Sequence, residues 1–198
     1  MPIKEVLAPQ KSANLFKDWA SKQKKGRPRK RPHAYEESIP HKDFHAGLND
    51  IISGKALVNA QLVAWRHFHT DAKENHALVE IKVGEKEDEH VLQEAHFGPM
   101  AFDYKLLLSK LKELEKLKNE DFELAYLRIF ALRINTIWLR ADQRDNDFFI
   151  PIAPCFNGFV AGELYSSPDF LKLAQIAAQR FYQNTQAKSL EDDDLKGG

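Results

Sequence analysis

Asp121-Phe122-Glu123-Leu124-Ala125-Tyr126-Leu127-Arg128-Ile129-Phe130 runs into Ala131-Leu132-Arg133-Ile134-Asn135-Thr136-Ile137-Trp138-Leu139-Arg140, the most apolar stretch of the chain. Leu127, Phe130, Ala131, Ile134 and Trp138 recur at helical spacing, and Leu124, Ile129, Leu132, Ile137 and Leu139 widen the stripe. A segment apolar nearly all round its circumference reads as a buried central helix. Glu123, Arg128, Arg133 and Arg140 make it a poor membrane span. The expectation is a helix at 121–141 with Phe130, Ile134 and Trp138 almost fully buried.

Upstream of it, Ala77 to Val83 alternates, with Val79, Ile81 and Val83 on one face and Glu80 and Lys82 on the other. Ala56–Thr70 and Glu89–Phe97 flank it across short polar connections, which predicts an antiparallel meander with one face buried. Phe148 to Ile152 reads as one more strand, at an edge because Pro151 donates no ladder hydrogen bond. Phe44, Leu48, Ile51 and Ile52 mark a helical face ending at Gly54. Tyr104, Leu107, Leu108, Leu111 and Leu114 mark a helix at 104–118. Ser167 as N-cap and Pro168 at the first helical position open a last helix at 167–183. The expected class is therefore α+β, an antiparallel sheet of three or four strands with the helices packed on one face.

The 198 residues suffice for one domain. We expect an N-terminal extension at 1–42, a single globular domain at 43–184 and an acidic disordered tail at 185–198. Lys plus Arg equals Asp plus Glu at 29 each, so net charge selects no partner. The distribution says more: seven cations and no acid lie between Lys22 and Arg31, whereas Glu191 to Asp194 is wholly acidic. Such segments read as interaction arms or as mutual shields. The single cysteine, Cys155, excludes an internal disulfide and a multi-cysteine zinc cluster. The opening residues lack an apolar signal-peptide core, and no segment reads as transmembrane. A cytoplasmic protein without membrane association is expected, or a nuclear one in a nucleated cell.

Candidate chemistry is sparse. His67 and His69 share a strand face and His96 could lie on a neighbouring strand, but no His-Glu-x-x-His pattern or companion cysteine pair accompanies them, so no metal is expected. Cys155 lacks a sequence-adjacent base and reads as an inert thiol. Arg128 and Arg133 need partners if buried, with Glu123, Asp142 and Glu163 as candidates, or else face a cleft and bind an anion. No phosphate loop or nucleophile elbow is present, and neither a catalytic residue nor a cofactor is assigned.

Two short segments carry the interaction readings. Leu15, Phe16 and Trp19 form an amphipathic piece that docks on the domain or in a partner's groove, being too short to stand alone. Lys24, Lys25, Gly26, Arg27, Pro28, Arg29, Lys30, Arg31 and Pro32 form a basic arm whose Gly-Arg-Pro centre resembles an AT-hook. Lys25 stands where that family has its first Arg. The resemblance implies that Lys25 and Arg27 enter the minor groove of A·T-rich DNA while the outer cations touch phosphate. A solvated linker and a nuclear localisation segment are the plainer readings of the same residues. The expectation is a small interaction protein whose arm contacts nucleic acid. An assembly factor or adaptor that docks through its terminal arms is the alternative, and an unrecognised enzyme the second alternative.

Overall fold

In the computed structural model the described residues are 3–4, 6–23, 40–70, 75–84, 89–111 and 121–194. Among them the stretch 121–140 is not a helix. It is a hairpin of two strands, β6 (Phe122–Ile129) and β7 (Ile134–Arg140), paired antiparallel from Glu123↔Arg140 to Ile129↔Ile134. A 3₁₀ turn at Phe130–Leu132 joins them, closed by Arg133 in the left-handed region at φ 53°. Phe122, Leu124 and Tyr126 pack on one face of β6, and Ala125, Leu127 and Ile129 on the other. A strand buried on both faces is apolar throughout, which imitates an all-round apolar helix. The expected central helix is thereby overturned. Ile134 and Trp138 are buried, but Phe130 sits at the hairpin tip and is 62% exposed.

The sheet is larger and more mixed than expected. Nine strands belong to it among the described residues. The others are β1 (Ile3–Lys4), β2 (His41–His45), β3 (Gln61–Thr70), β4 (His76–Val83), β5 (His90–Phe97), β8 (Phe148–Pro151) and β9 (Tyr165–Ser166). Their order is β5-β4-β3-β2-β6-β7-β8-β9, with β1 pairing β6 beside β2. Both β1 and β2 run parallel to β6, and every other pairing is antiparallel. The expected antiparallel sheet of three or four strands is thus corrected; β3-β4-β5 does run as an antiparallel meander, but β4 is buried on both faces as far as Ile81, not on one. Phe44 begins no helix: it lies in β2, and only the short α2 (Leu48–Ile52) follows, with Gly54 at φ 72° behind it. Pro151 tolerates its place because β9 pairs only as far as Phe148 and Phe149, leaving the outer side of Pro151 without a ladder.

Helices cover both faces, not one. Helix α1 (Gln10–Gln23) sets Phe16, Trp19 and Ala20 on Ala77, Val79 and Ile81. On that same face α4 (Ser167–Asp194) seats Phe170, Ala174 and Ala177 against Leu127, Trp138 and Phe149. Helix α4 continues to Asp194, beyond the boundary near 184 expected from composition. Its cap is Ser166 rather than Ser167, since the Ser166 hydroxyl accepts from the Asp169 amide at 3.4 Å and donates to its carboxylate at 2.6 Å. The opposite face carries α3 (Pro99–Leu111), whose Ala101, Tyr104 and Leu111 meet Leu78, Phe122, Leu124 and Leu139. No helix among the described residues is long and apolar enough to cross a membrane.

Candidate ligand-binding cleft

The α3 face holds a buried cluster of charge. Strand register brings Asp43 of β2 beside Tyr126 of β6, Arg66 of β3 opposite Glu80 of β4, and Glu80 opposite Glu94 of β5. Side chains of one face alternate with period two, so these residues and Arg128 point the same way. Arg66 donates from Nε to Asp43 Oδ2 at 2.8 Å and from Nη2 to Glu80 Oε1 at 2.5 Å. Arg128 Nη2 donates to the same two oxygens, at 2.9 Å to Asp43 and closely to Glu80. His96 Nε2 donates to Glu80 Oε1 at 3.2 Å and lies 3.4 Å from Glu94. The Arg66 guanidinium also stacks 3.5 Å from the centre of the Tyr126 ring.

Electrostatics follows from this burial. The side chains of Asp43, Arg66 and Glu80 are 1–3% exposed. Desolvation pushes the carboxyls of Asp43 and Glu80 above their ordinary range, with Arg66 pulling each back. Burial opposes the charge on Arg66, but Asp43, Tyr126 and Glu80 outweigh it and hold its proton more firmly than usual. Two guanidiniums face two carboxylates, so the floor is charge-balanced. Its bonding is nevertheless incomplete. Among the described residues, Asp43 Oδ1 and Arg128 Nε are buried without a hydrogen-bond partner.

Where α3 stops covering this face, the floor opens into a cleft of about 260 Å³. Arg66, Glu80, Tyr126 and Arg128 form its base and His96 one side. The hairpin tip supplies the rest: Phe130, Arg133, Ile134 and Asn135. The tip is braced from behind by Asn157, whose amide donates to Leu132 O at 2.9 Å, and by Phe156 under the Arg133 guanidinium. The combination of cation, amide and aromatic wall suits a small anion with an apolar body. A metal ion suits it poorly. Glu80, Glu94 and His96 offer atoms within 4.8 Å of one another, but Arg66 and Arg128 already occupy the Glu80 oxygen and would repel a cation.

The residues singled out in the sequence are dispersed. Arg128 and Arg133 line the cleft, though not with the partners suggested. Glu123 binds Lys42 and Arg140, Asp142 binds Lys4, and Glu163 accepts from Tyr165. His67 and His69 lie on the other face beneath α1, apart from His96. His67 Nε2 is 2.9 Å from Ser12 Oγ and stacks on Phe16, while His69 meets Trp19 edge-on. Burial lowers the His67 pKa to about 4. Cys155 donates to Ile152 O at 3.4 Å, and burial raises its thiol pKa, the reverse of what a nucleophile needs. Of the two docking places open to Leu15, Phe16 and Trp19, they occupy the chain's own sheet, with Phe16 and Trp19 buried there. The basic arm, Lys24 to Pro32, lies outside the described residues.

Asp43, Arg66, Glu80 and Tyr126 carry no local signal in the sequence. Glu80 sits on what reads as the solvent side of an alternating strand, and only the register of β2, β3, β4 and β6 assembles the group. Comparison with protein-family models, with characterised proteins and with solved structures yields no significant match.

Proposed function

We propose that the protein is a binding module whose cleft takes a small organic carboxylate. The observation that carries this reading is Arg128, a guanidinium at the base of a cleft with a buried Nε that no described residue satisfies. An unpartnered buried donor costs about 1–3 kcal/mol, so a ligand that completes it gains that much in addition to its own contacts. A carboxylate fits the planar edge of a guanidinium in two parallel bonds. Asn135 and Arg133 stand beside it, and Phe130 offers an apolar wall to the rest of the ligand. Benzoate is a suitable probe. It should bind saturably to the full chain, and Arg128→Ala should weaken it by about tenfold or more, equivalent to one lost charge-assisted contact. Inorganic phosphate binding in its place would contradict the carboxylate assignment.

A second reading rests on the Lys25-Gly26-Arg27-Pro28 motif and its likeness to an AT-hook. On that reading the arm between α1 and β2 contacts A·T-rich DNA and the folded domain serves another purpose. Arg27→Ala should then weaken duplex binding more than Arg31→Ala does, because a groove contact is lost in one case and a phosphate contact in the other. Equal losses, with equal affinity for G·C-rich duplex, would reduce the arm to a cationic patch.

A further inference from the structure

The cleft floor has a property that a simple anion site lacks: its cations are already paired. A carboxylate that arrives at a charge-balanced, buried floor adds an uncompensated negative charge, which is costly away from water. The geometry of Arg128 shows how that cost is avoided. The bidentate edge of a guanidinium is formed by Nε and the Nη on the same side, Nη2. Here Nη2 is held by Glu80 and Asp43, and Nε is sealed from solvent. A ligand can take both atoms only if the head of Arg128 turns toward the cleft, and turning breaks the Nη2 bonds to Glu80 and Asp43, of which Asp43 keeps Arg66 Nε.

We propose that carboxylate binding in this cleft is coupled to the uptake of one proton by Glu80. This inference rests on the carboxylate reading above and specifies its regulation. The ligand brings one negative charge, the proton brings one positive charge from the buffer, and the buried floor keeps its balance. No covalent bond changes. His96 Nε2 keeps its 3.2 Å bond to Glu80 Oε1, which holds the carboxyl in place as it takes the proton.

The surroundings of Glu80 favour the protonated form once Arg128 has left. On β2, Asp43 is a second buried carboxylate, with His45 next to it along the strand. On β5, Glu94 lies within reach of His96 and adds negative charge at the mouth. Tyr126 from β6 and Tyr104 from α3 are neutral, burial raising both phenols. Arg66 remains as the only cation touching Glu80 among the described residues besides Arg128, and Asp43 claims its Nε. Arg133, on the cleft wall over Phe156, is exposed, so water screens its charge from the floor. Burial already lifts the Glu80 carboxyl in the free protein, and loss of Arg128 lifts it further. Because the bound state has the higher pKa, affinity must rise as pH falls between the free and bound values, and level off outside them.

The test is calorimetry of benzoate binding to the full wild-type chain at a series of pH values, each in two buffers of different ionisation enthalpy. The expected result is a buffer-dependent heat corresponding to uptake of about one proton, with affinity gaining up to about tenfold per pH unit within the window. Glu80→Gln, which imitates the protonated carboxyl, should bind benzoate without that slope; if it does not fold, the wild-type proton count decides alone. Saturable binding with no proton uptake, or with proton release, overturns the coupling and leaves the carboxylate reading intact. Absence of saturable benzoate binding across the range contradicts the carboxylate reading, and the coupling with it.

Discussion

Two ion networks stand back to back on strands β2 and β6. On the α1/α4 face, Glu123 accepts from Lys42 and Arg140 at 3.0 Å each, and the three side chains keep 20–26% of their exposure. Arg140 lies flat over Phe44 and Trp138, at 4.9 and 4.8 Å, so its stem and plane cover the aromatic core while its charge reaches water. On the α3 face, Asp43, Arg66, Glu80 and Arg128 are deeper, and two atoms are left without partners. The first network is a seal on the core with water at hand. The second bears the desolvation of four charges, which a hydrophobic replacement would avoid. A cluster that is costly, incomplete and open to a cleft is where binding is sought, whereas a satisfied rim network needs no function to explain it.

Breaking the buried network should have the largest effect. Arg66→Ala leaves two buried carboxylates without their main partner and should cost about 3–5 kcal/mol in urea unfolding. A loss below about 1 kcal/mol would show that water reaches the floor and that the contrast between the faces is false.

The α1/α4 face has its own buried titratable group, and pH can sharpen the comparison there. The His67 pKa falls from 6.5 to about 4 on folding, because the charged ring would be desolvated under α1. The unfolded chain therefore binds a proton that the folded one refuses, and stability drops as pH falls from about 6.5 towards 4, by up to about 3 kcal/mol. His67→Gln should remove that part of the acid slope. An unchanged slope, measured as unfolding free energy against pH, would place the cause elsewhere. The smallest effect belongs to the rim network. Glu123→Gln should shift stability by about 0–1 kcal/mol, and a denaturant midpoint that moves much further would mean the Lys42–Glu123–Arg140 group is more than a seal.

The sequence is legible where the two faces of a strand differ in polarity. Ala77 to Val83 alternates because Glu80 and Lys82 stand on the face opposite Val79 and Ile81, although β4 is buried on both faces as far as Ile81, and the order β3-β4-β5 follows from it. It is illegible where both faces carry apolar side chains. In β6 and β7 both faces are apolar, and the turn at 130–133 contains neither Gly nor Pro to mark the break. The β-branched and aromatic content of Ile129, Ile134, Thr136, Ile137 and Trp138 is the signal that favours strands there. For the site, Arg128 and Arg133 stand out because charge within an apolar run must be answered. Their surroundings do not stand out, since Asp43 and Glu80 come from distant strands and are joined by pairing register alone.

The central claim is that Arg128 Nε is an unfilled buried donor that a carboxylate completes. Its Nε–H gives its own signal in a nitrogen-15 correlation spectrum, so titration of the labelled full chain with benzoate reads the claim at the atom concerned. The account predicts a saturable shift of the Arg128 Nε–H resonance, with slower exchange of that proton in the bound state. Shifts confined to other signals, with the Arg128 Nε–H unmoved at saturation, would contradict it.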